Sequence, residues 1–387
     1  MNSKIWLSSP HMGGGEMKFI QDAFDTNWIA PVGPNILGFE QDIKTYLNTK
    51  NEVVALSSGT AAIHLALILS GVIAGDTVVC QSMTFSASAN PIKYQGATPV
   101  FIDSEMDTWN MCPKALEEAI KSLILKSKKP KAIIVVHLYG MPAKMDEISA
   151  IAKKYKISLI EDAAEALGSS YKGQKCGTFG DFGILSFNGN KIITTSGGGA
   201  LICKTEELKQ RAIFLATQAR DKAPHYQHSA LGYNYRMSNV LAGIGRGQME
   251  VLVKHIASRR ANNKFYKEAL FNTTDGISVF KEPNENYCSN HWLSCILIDE
   301  SKTGFSPETL RLFLLEKNIE SSPLWKPMHL QPFFKECNYY GNTIAQSLFE
   351  KGLCLPSGSN LSSIDLKRIK SSIEIFFLNL KKKIEKK

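Results

Sequence analysis

An α/β fold built on a mostly parallel sheet is what this sequence predicts, and three observations carry that expectation. Short, near-continuous apolar runs rich in branched residues recur through the first two-thirds of the chain. Longer helix-like stretches separate them, the pattern of a sheet covered on both faces. No period of about 20–50 residues repeats, which removes solenoid architectures.

The elements follow in order. Val53-Val-Ala-Leu56 reads as a buried strand, followed by the turn Ser57-Ser-Gly-Thr60 and an apolar helix from Ala61 to Leu69. Thr77–Cys80, Pro99–Ile102, Ala132–Val136 and Ile157–Ile160 read as the next strands, with a helix from Met145 to Tyr155 before the last of them. Phe182–Phe187 and Gly199–Cys203 complete the set. From about residue 250 the texture changes. Met249–Ala269 reads as one long charged connector helix, Trp292–Ile298 as a strand, Ser306–Lys317 as a helix, and a last helix starts at Ser363. The expectation is a large α/β domain over 1–250 and a smaller α+β domain over 251–387. The first 35 residues, with Gly13-Gly-Gly15 and several prolines, read as an arm or loop outside the main sheet.

Composition narrows the class further. The 387 residues are 44% hydrophobic and 21% charged, ordinary for a globular protein. The longest apolar stretch, Ala61 to Ala74, is interrupted by His64 and Ser70 and falls short of the ~18 residues a membrane span needs. The N-terminus lacks the apolar core of a signal peptide, so a soluble cytoplasmic protein is expected. Net charge is +9, but residues 381–387 hold five Lys and one Glu, a solvated basic tail that leaves the body at 9 − 4 = +5. A nucleic-acid partner is therefore not expected. The eight cysteines are dispersed without C-x-x-C or His-adjacent ligand spacing, so free thiols are expected and no metal site.

Four local constellations stand where chemistry could sit. Ser57-Ser-Gly-Thr60, at a strand-to-helix turn, suits either a phosphate cradle or an ordinary N-cap. Glu161-Asp-Ala-Ala-Glu165 puts carboxylates at the end of a buried strand, where they meet a cationic ligand group or begin a helix. Lys191, in Ser186-Phe-Asn-Gly-Asn-Lys191, is the only charged residue between Phe182 and Leu201, which suits a desolvated, nucleophilic amine of the Schiff-base kind. Gly197-Gly-Gly199 suits a tight backbone passage. Gly232-Tyr-Asn-Tyr-Arg236, read alone, is packing. Gly243, Gly245 and Gly247 lack the G-x-G-x-x-G spacing of a dinucleotide site.

With these in order, the sequence resembles the nucleotide-sugar aminotransferases, the DegT/StrS group of fold type I pyridoxal-phosphate enzymes, along nearly the whole chain. The resemblance rests on Leu7-Ser-Ser-Pro-His11, Asn27-Trp-Ile-Ala-Pro31, Ser58-Gly-Thr-Ala-Ala-Ile-His-Leu-Ala66, Thr84-Phe85, Glu161-Asp-Ala-Ala164, Ser186-Phe187, Asn190-Lys-Ile-Ile-Thr-Thr195, Gly232-Tyr-Asn-Tyr-Arg236 and Pro323-Leu-Trp-Lys-Pro-Met-His329. The run from Asn188 to Gly199 is similar to that of the UDP-sugar 4-aminotransferases of N-acetylbacillosamine synthesis, in the supply of sugars for protein glycosylation.

The resemblance implies roles. Lys191 would hold pyridoxal phosphate covalently and shuttle the proton. Asp162 would pair with the pyridinium nitrogen, Phe85 would stack on the ring, and Glu165 would lie near the phenolic oxygen. Ser58, Gly59, Thr60 and Ser186 would hold the phosphate, with Asn234 supplied by a second subunit of a homodimer. Asn27, Trp28, Ile29 and Ala30, with Trp325 and His329, would line the nucleotide-sugar side. The implied reaction takes the amino group of L-glutamate, through the pyridoxamine form, to a UDP-linked 4-keto-6-deoxy-N-acetylhexosamine. C3 amination, a dTDP-linked sugar, and a non-catalytic cofactor-binding regulator are the alternatives. Two positions depart from many family members: Glu165 stands where they carry Gln, and Ser196-Gly197 stands where they read Gly-Glu. Lys191 itself argues against the dehydratase branch, in which histidine replaces the lysine.

Overall fold

The apolar runs do assemble into one sheet. In the computed structural model, which describes residues 3–272 and 274–384 (the last four by backbone alone), eight strands line up. Their order is Glu52–Leu56, Gly199–Cys203, Phe182–Ser186, Ser158–Asp162, Ala132–Val136, Thr77–Gln81, Thr98–Ile102 and Tyr339–Tyr340. The pairings from Phe182–Ser186 to Tyr339–Tyr340 are parallel, and Gly199–Cys203 runs antiparallel to both its neighbours. Strands such as Ala132–Val136 are buried along their whole length because helices cover both faces.

A second, antiparallel sheet of Ile277–Val279, Ser294–Ile298, Gly352–Leu355 and Ser322–Pro323 packs against the helices Pro307–Glu316 and Ser363–Ile384. A small three-stranded sheet joins Tyr287–Cys288 to Ser170–Tyr171 and Gln174–Lys175. Tyr339–Tyr340 and Tyr287–Cys288, both beyond residue 250, thus pair with strands from the first half.

Several expectations need correction. The strand expected at Ile157–Ile160 spans Ser158–Asp162, so Glu161 and Asp162 end the strand instead of following it. The first 35 residues are not all loop: Glu16–Asp25 is a helix, and another begins at Pro34. The connector helix expected at Met249–Ala269 starts ten residues earlier and ends four sooner, as one helix, Asn239–Phe265, capped by Ser238. Its glycines lower intrinsic propensity, but tertiary packing demands them: a Cβ on Gly247 would lie 2.6 Å from Glu16 Cα. Since this helix runs through residue 250, the division into 1–250 and 251–387 is proposed to fall within it. The basic tail 381–387 lies outside the described side chains. No described helix is long and apolar enough to cross a membrane. All eight cysteines are free, five of them buried, and the described residues hold no His/Cys/Asp/Glu group fit for a metal.

Candidate active site

The carboxyl ends of the parallel strands and the loops beyond them converge on one cleft of about 960 Å³ including its open mouth. This is where open α/β sheets bind ligands. From Glu52–Leu56 the chain turns at Ser57-Ser58 into the helix Gly59–Leu69. The Ser58 hydroxyl accepts from Ala61 N at 3.0 Å and so serves as the N-cap. The first-turn N–H groups of Gly59 and Thr60 have no intrahelical acceptor, and both residues line the cleft, which favours an anion there. The Gly197–Gly199 passage lies against this turn: a Cβ on Gly199 would sit 2.4 Å from Gly59 N. Ser186 lines the same end.

Asp162 ends its strand 5% exposed, with Oδ2 accepting from Ser88 Oγ at 2.6 Å and Oδ1 from Ala164 N at 3.2 Å. Glu161, one residue earlier, points away from the cleft. It accepts from Gly177 N at 2.9 Å and from Gly180 N at 2.6 Å, and pairs with His137 Nε2 at 3.0 Å. Its role is structural.

Lys191 Nζ lies 3.6 Å from Glu165 Oε1 and 4.2 Å from the centroid of the Trp292 ring. Burial raises the Glu165 pKa above the ordinary carboxylate value, with Lys191 and the Tyr139 N–H (2.7 Å from Oε2) pulling it down. Trp292 is fully buried, and its indole N–H donates to Asn190 O at 2.8 Å. Phe85 and Trp325 also line the cleft, their centroids 5.5 Å apart, with the Trp325 ring 6.5 Å from that of Trp292. Phe85 is 52% exposed, a large aromatic face left open. Trp325 N donates to Tyr139 Oη at 2.7 Å, and the Trp325 side chain also interacts with Glu165, pulling its pKa down.

Of the residues singled out from sequence, the structure brings together Ser58, Gly59, Thr60, Phe85, Asp162, Glu165, Ser186, Lys191 and Trp325. It does not bring the others to this cleft. His329 is turned away, its Nδ1 2.6 Å from Ser82 Oγ and its ring stacked on Tyr339 at 3.8 Å. The segment from Asn27 to Ala30 is exposed and anchored elsewhere, by Asn239 Nδ2 donating to Trp28 O at 2.7 Å and Asn239 N to Ala30 O at 2.9 Å. Asn234 is exposed on a segment bridged to Thr217. Sequence reasoning missed Ser88, Trp292, Asn188 and Asn190, which line the cleft. Asn188 and Asn190 stand three residues and one residue before the lysine and were findable; nothing local marks Ser88 or Trp292.

The cleft's donor set fits a phosphorylated, cationic aromatic ligand. It offers amides without an intrahelical acceptor for a dianion, a carboxylate for a ring N–H, and an amine held over an aromatic face. Residues 10–374 match the DegT/DnrJ/EryC1/StrS aminotransferase family. EpsN of Bacillus subtilis (strain 168), which bears the name of a pyridoxal phosphate-dependent aminotransferase, is 50% identical over 95% of each chain. The GDP-perosamine synthase of Escherichia coli O157:H7 is 37% identical over 96% of this chain and 98% of that one. Among solved structures, the PLP-form of Spr1654 from Streptococcus pneumoniae superposes with a TM-score of 0.86 at 27% identity. That match covers 96% of this chain and 99% of the other.

Proposed function

The chain belongs to the DegT/DnrJ/EryC1/StrS aminotransferase family, and from that premise we propose that it carries the amino group of L-glutamate to C4 of a UDP-linked 4-keto-6-deoxy-N-acetylhexosamine. It is a pyridoxal-phosphate-dependent sugar aminotransferase. The observation that carries the reading is the Lys191 amine, enclosed between Glu165 and the Trp292 face in the cleft that Asp162 and the Gly59–Leu69 helix also line.

The cofactor, when bound, supplies the electron sink that lets a proton leave the amino-bearing carbon. The protein supplies the rest. Lys191 would hold the cofactor through its amine and would move the proton between the reacting carbons. Asp162, already oriented by Ser88 and Ala164, keeps a proton on the ring nitrogen. The free amides of Gly59 and Thr60, with the Ser186 hydroxyl, receive the phosphate, while Ser58 stays a cap. Trp325 and Trp292 keep water off the amine. The carboxyl of Glu165 offers a donor or acceptor to the phenolic oxygen.

The UDP and C4 assignments draw on the similarity of the run from Asn188 to Gly199. A homodimer that shares its sites, with Asn234 reaching the partner's phosphate, draws on the exposed apolar side chains Phe24, Trp28, Ile29, Val32, Leu37 and Leu231, which a subunit contact would cover. The same dimer would give the segment from Asn27 to Ala30 a substrate to touch.

The test is incubation with L-glutamate and a panel of UDP-, dTDP- and GDP-linked 3-keto and 4-keto sugars, with the aminated product identified by mass and NMR. A UDP-4-amino sugar is expected. Amination confined to C3, or to another nucleotide, overturns the substrate assignment. Cofactor attached at Lys191 without amination of any sugar favours a binding regulator.

A further inference from the structure

Arg259, on the helix Asn239–Phe265, is 1% exposed and has no carboxylate within ion-pair distance among the described residues. Burial lowers its pKa, yet a guanidinium begins so high that it stays charged at neutral pH. A buried charge without a counter-ion is costly to keep, so what surrounds it shows what it is kept for.

Three oxygens surround it. Nη1 donates to Trp292 O at 2.6 Å, and Nη2 donates to Ser8 Oγ at 3.0 Å and to Lys191 O at 3.4 Å. Each contact leads to the same place. Ser8 Oγ donates onward to Asn190 O at 2.8 Å, and Trp292 Nε1 donates to that same oxygen at 2.8 Å. The Trp292 ring is the surface over which the Lys191 amine sits. One guanidinium therefore ties the backbone of Lys191, the carbonyl before it (through Ser8) and the ring beneath its amine. It joins segments 68, 33 and 251 residues away in the chain.

We propose that Arg259 is a positioning residue for Lys191: a forked clamp that fixes the Asn190–Lys191 backbone and the Trp292 ring relative to each other, and so sets where the amine stands. A fork suits this task because two nitrogens of one rigid plane reach three acceptors at once, which a single ammonium does not. The inference rests on Lys191 being the attachment point of pyridoxal phosphate.

The experiment follows attachment, not turnover. Pyridoxal phosphate is added to the full chain, and attachment is trapped over time with borohydride and located by peptide mass spectrometry. Melting curves and equilibrium dialysis report folding and non-covalent binding. Wild type, Arg259→Met, Arg259→Lys and Ser8→Ala are compared. Arg259→Met should fold and bind the cofactor but attach it at least about tenfold more slowly, the scale of a misplaced reacting group. Arg259→Lys should recover part of the rate, and Ser8→Ala should slow it by a smaller factor. Attachment at the wild-type rate in folded Arg259→Met overturns the proposal. If Arg259→Met does not fold, Ser8→Ala decides, and a wild-type rate there overturns it equally. Label on a different lysine in wild type would instead refute the assignment of Lys191 on which the inference rests.

Discussion

Replacing Asp162 with Asn separates its charge from its shape. In the fold, Oδ2 sits 2.6 Å from Ser88 Oγ, and Ser88 Oγ lies 2.7 Å from Thr84 Oγ1 in a contact where either hydroxyl can donate. The Ser88 hydroxyl can therefore turn and accept from the new amide, while Ala164 N keeps its acceptor. No buried polar group is stranded, so the stability change should stay within about 1 kcal/mol. Turnover should not survive so well. A preorganised group aimed at developing charge is typically worth ~2.7–4 kcal/mol. At ~1.36 kcal/mol per tenfold, that is roughly a hundred- to thousand-fold in kcat. The assay is a single-turnover half-reaction with glutamate at matched cofactor occupancy, alongside a melting curve. Ser88→Ala removes a charge-assisted hydrogen bond and should cost less. Because Ser88 acts through Asp162, the double variant should be no slower than Asp162→Asn alone. A rate within about threefold of wild type for Asp162→Asn, or full additivity in the double variant, would refute this chain of reasoning.

Three further outcomes are expected. Burial raises the Glu165 pKa, and a carboxyl whose folded-state pKa exceeds its unfolded one costs stability as pH rises through it. Glu165→Gln should therefore match wild type in melting temperature near about pH 4 and gain on it by about pH 8, and a gain equal at both values contradicts the assignment. Gly199→Ala places a methyl 2.4 Å from Gly59 N. It should lose ~1–3 kcal/mol of stability and weaken pyridoxal phosphate binding, and unaltered binding in dialysis would remove this turn from the phosphate site. Lys191→Ala and Asn234→Asp, each inactive alone, should recover up to about a quarter of wild-type activity when co-refolded at random pairing, since half the dimers are mixed and each has one intact site. No recovery from dimers shown to have exchanged would rule out a site shared between subunits.

The strands were legible because burial on both faces leaves each as an uninterrupted apolar run, as at Val53–Leu56 and Ala132–Val136. The long helix was harder to read. Gly243, Gly245 and Gly247 weaken any local helical signal, and their reason, the close approach of the Glu16–Asp25 helix and its neighbours, is tertiary. The site divides the same way. Lys191, Asp162 and Gly59 announce themselves through neighbours in sequence: a lone charge in an apolar stretch, a carboxylate at a strand end, a glycine at a helix start. Ser88 matters only because it meets Asp162 across 74 residues, and Trp292 only because it meets Asn190 across 102. His329 shares a short motif with Trp325, but its contacts with Ser82 and Tyr339 are tertiary and leave no mark in that motif.

The short strand Tyr339–Tyr340 bears on how the chain is made. It pairs with Phe101 and Ile102, so the edge of the large sheet stays open until some 240 further residues have followed. At ~5–20 residues per second, that edge waits roughly 10–50 s during synthesis. An uncovered row of backbone donors and acceptors invites pairing with another chain. Truncation after residue 250 would make that exposure permanent. A fragment that retains every residue of the phosphate turn and the lysine loop should therefore aggregate, and co-translational chaperone contact should be concentrated on the interval between the two halves of this edge.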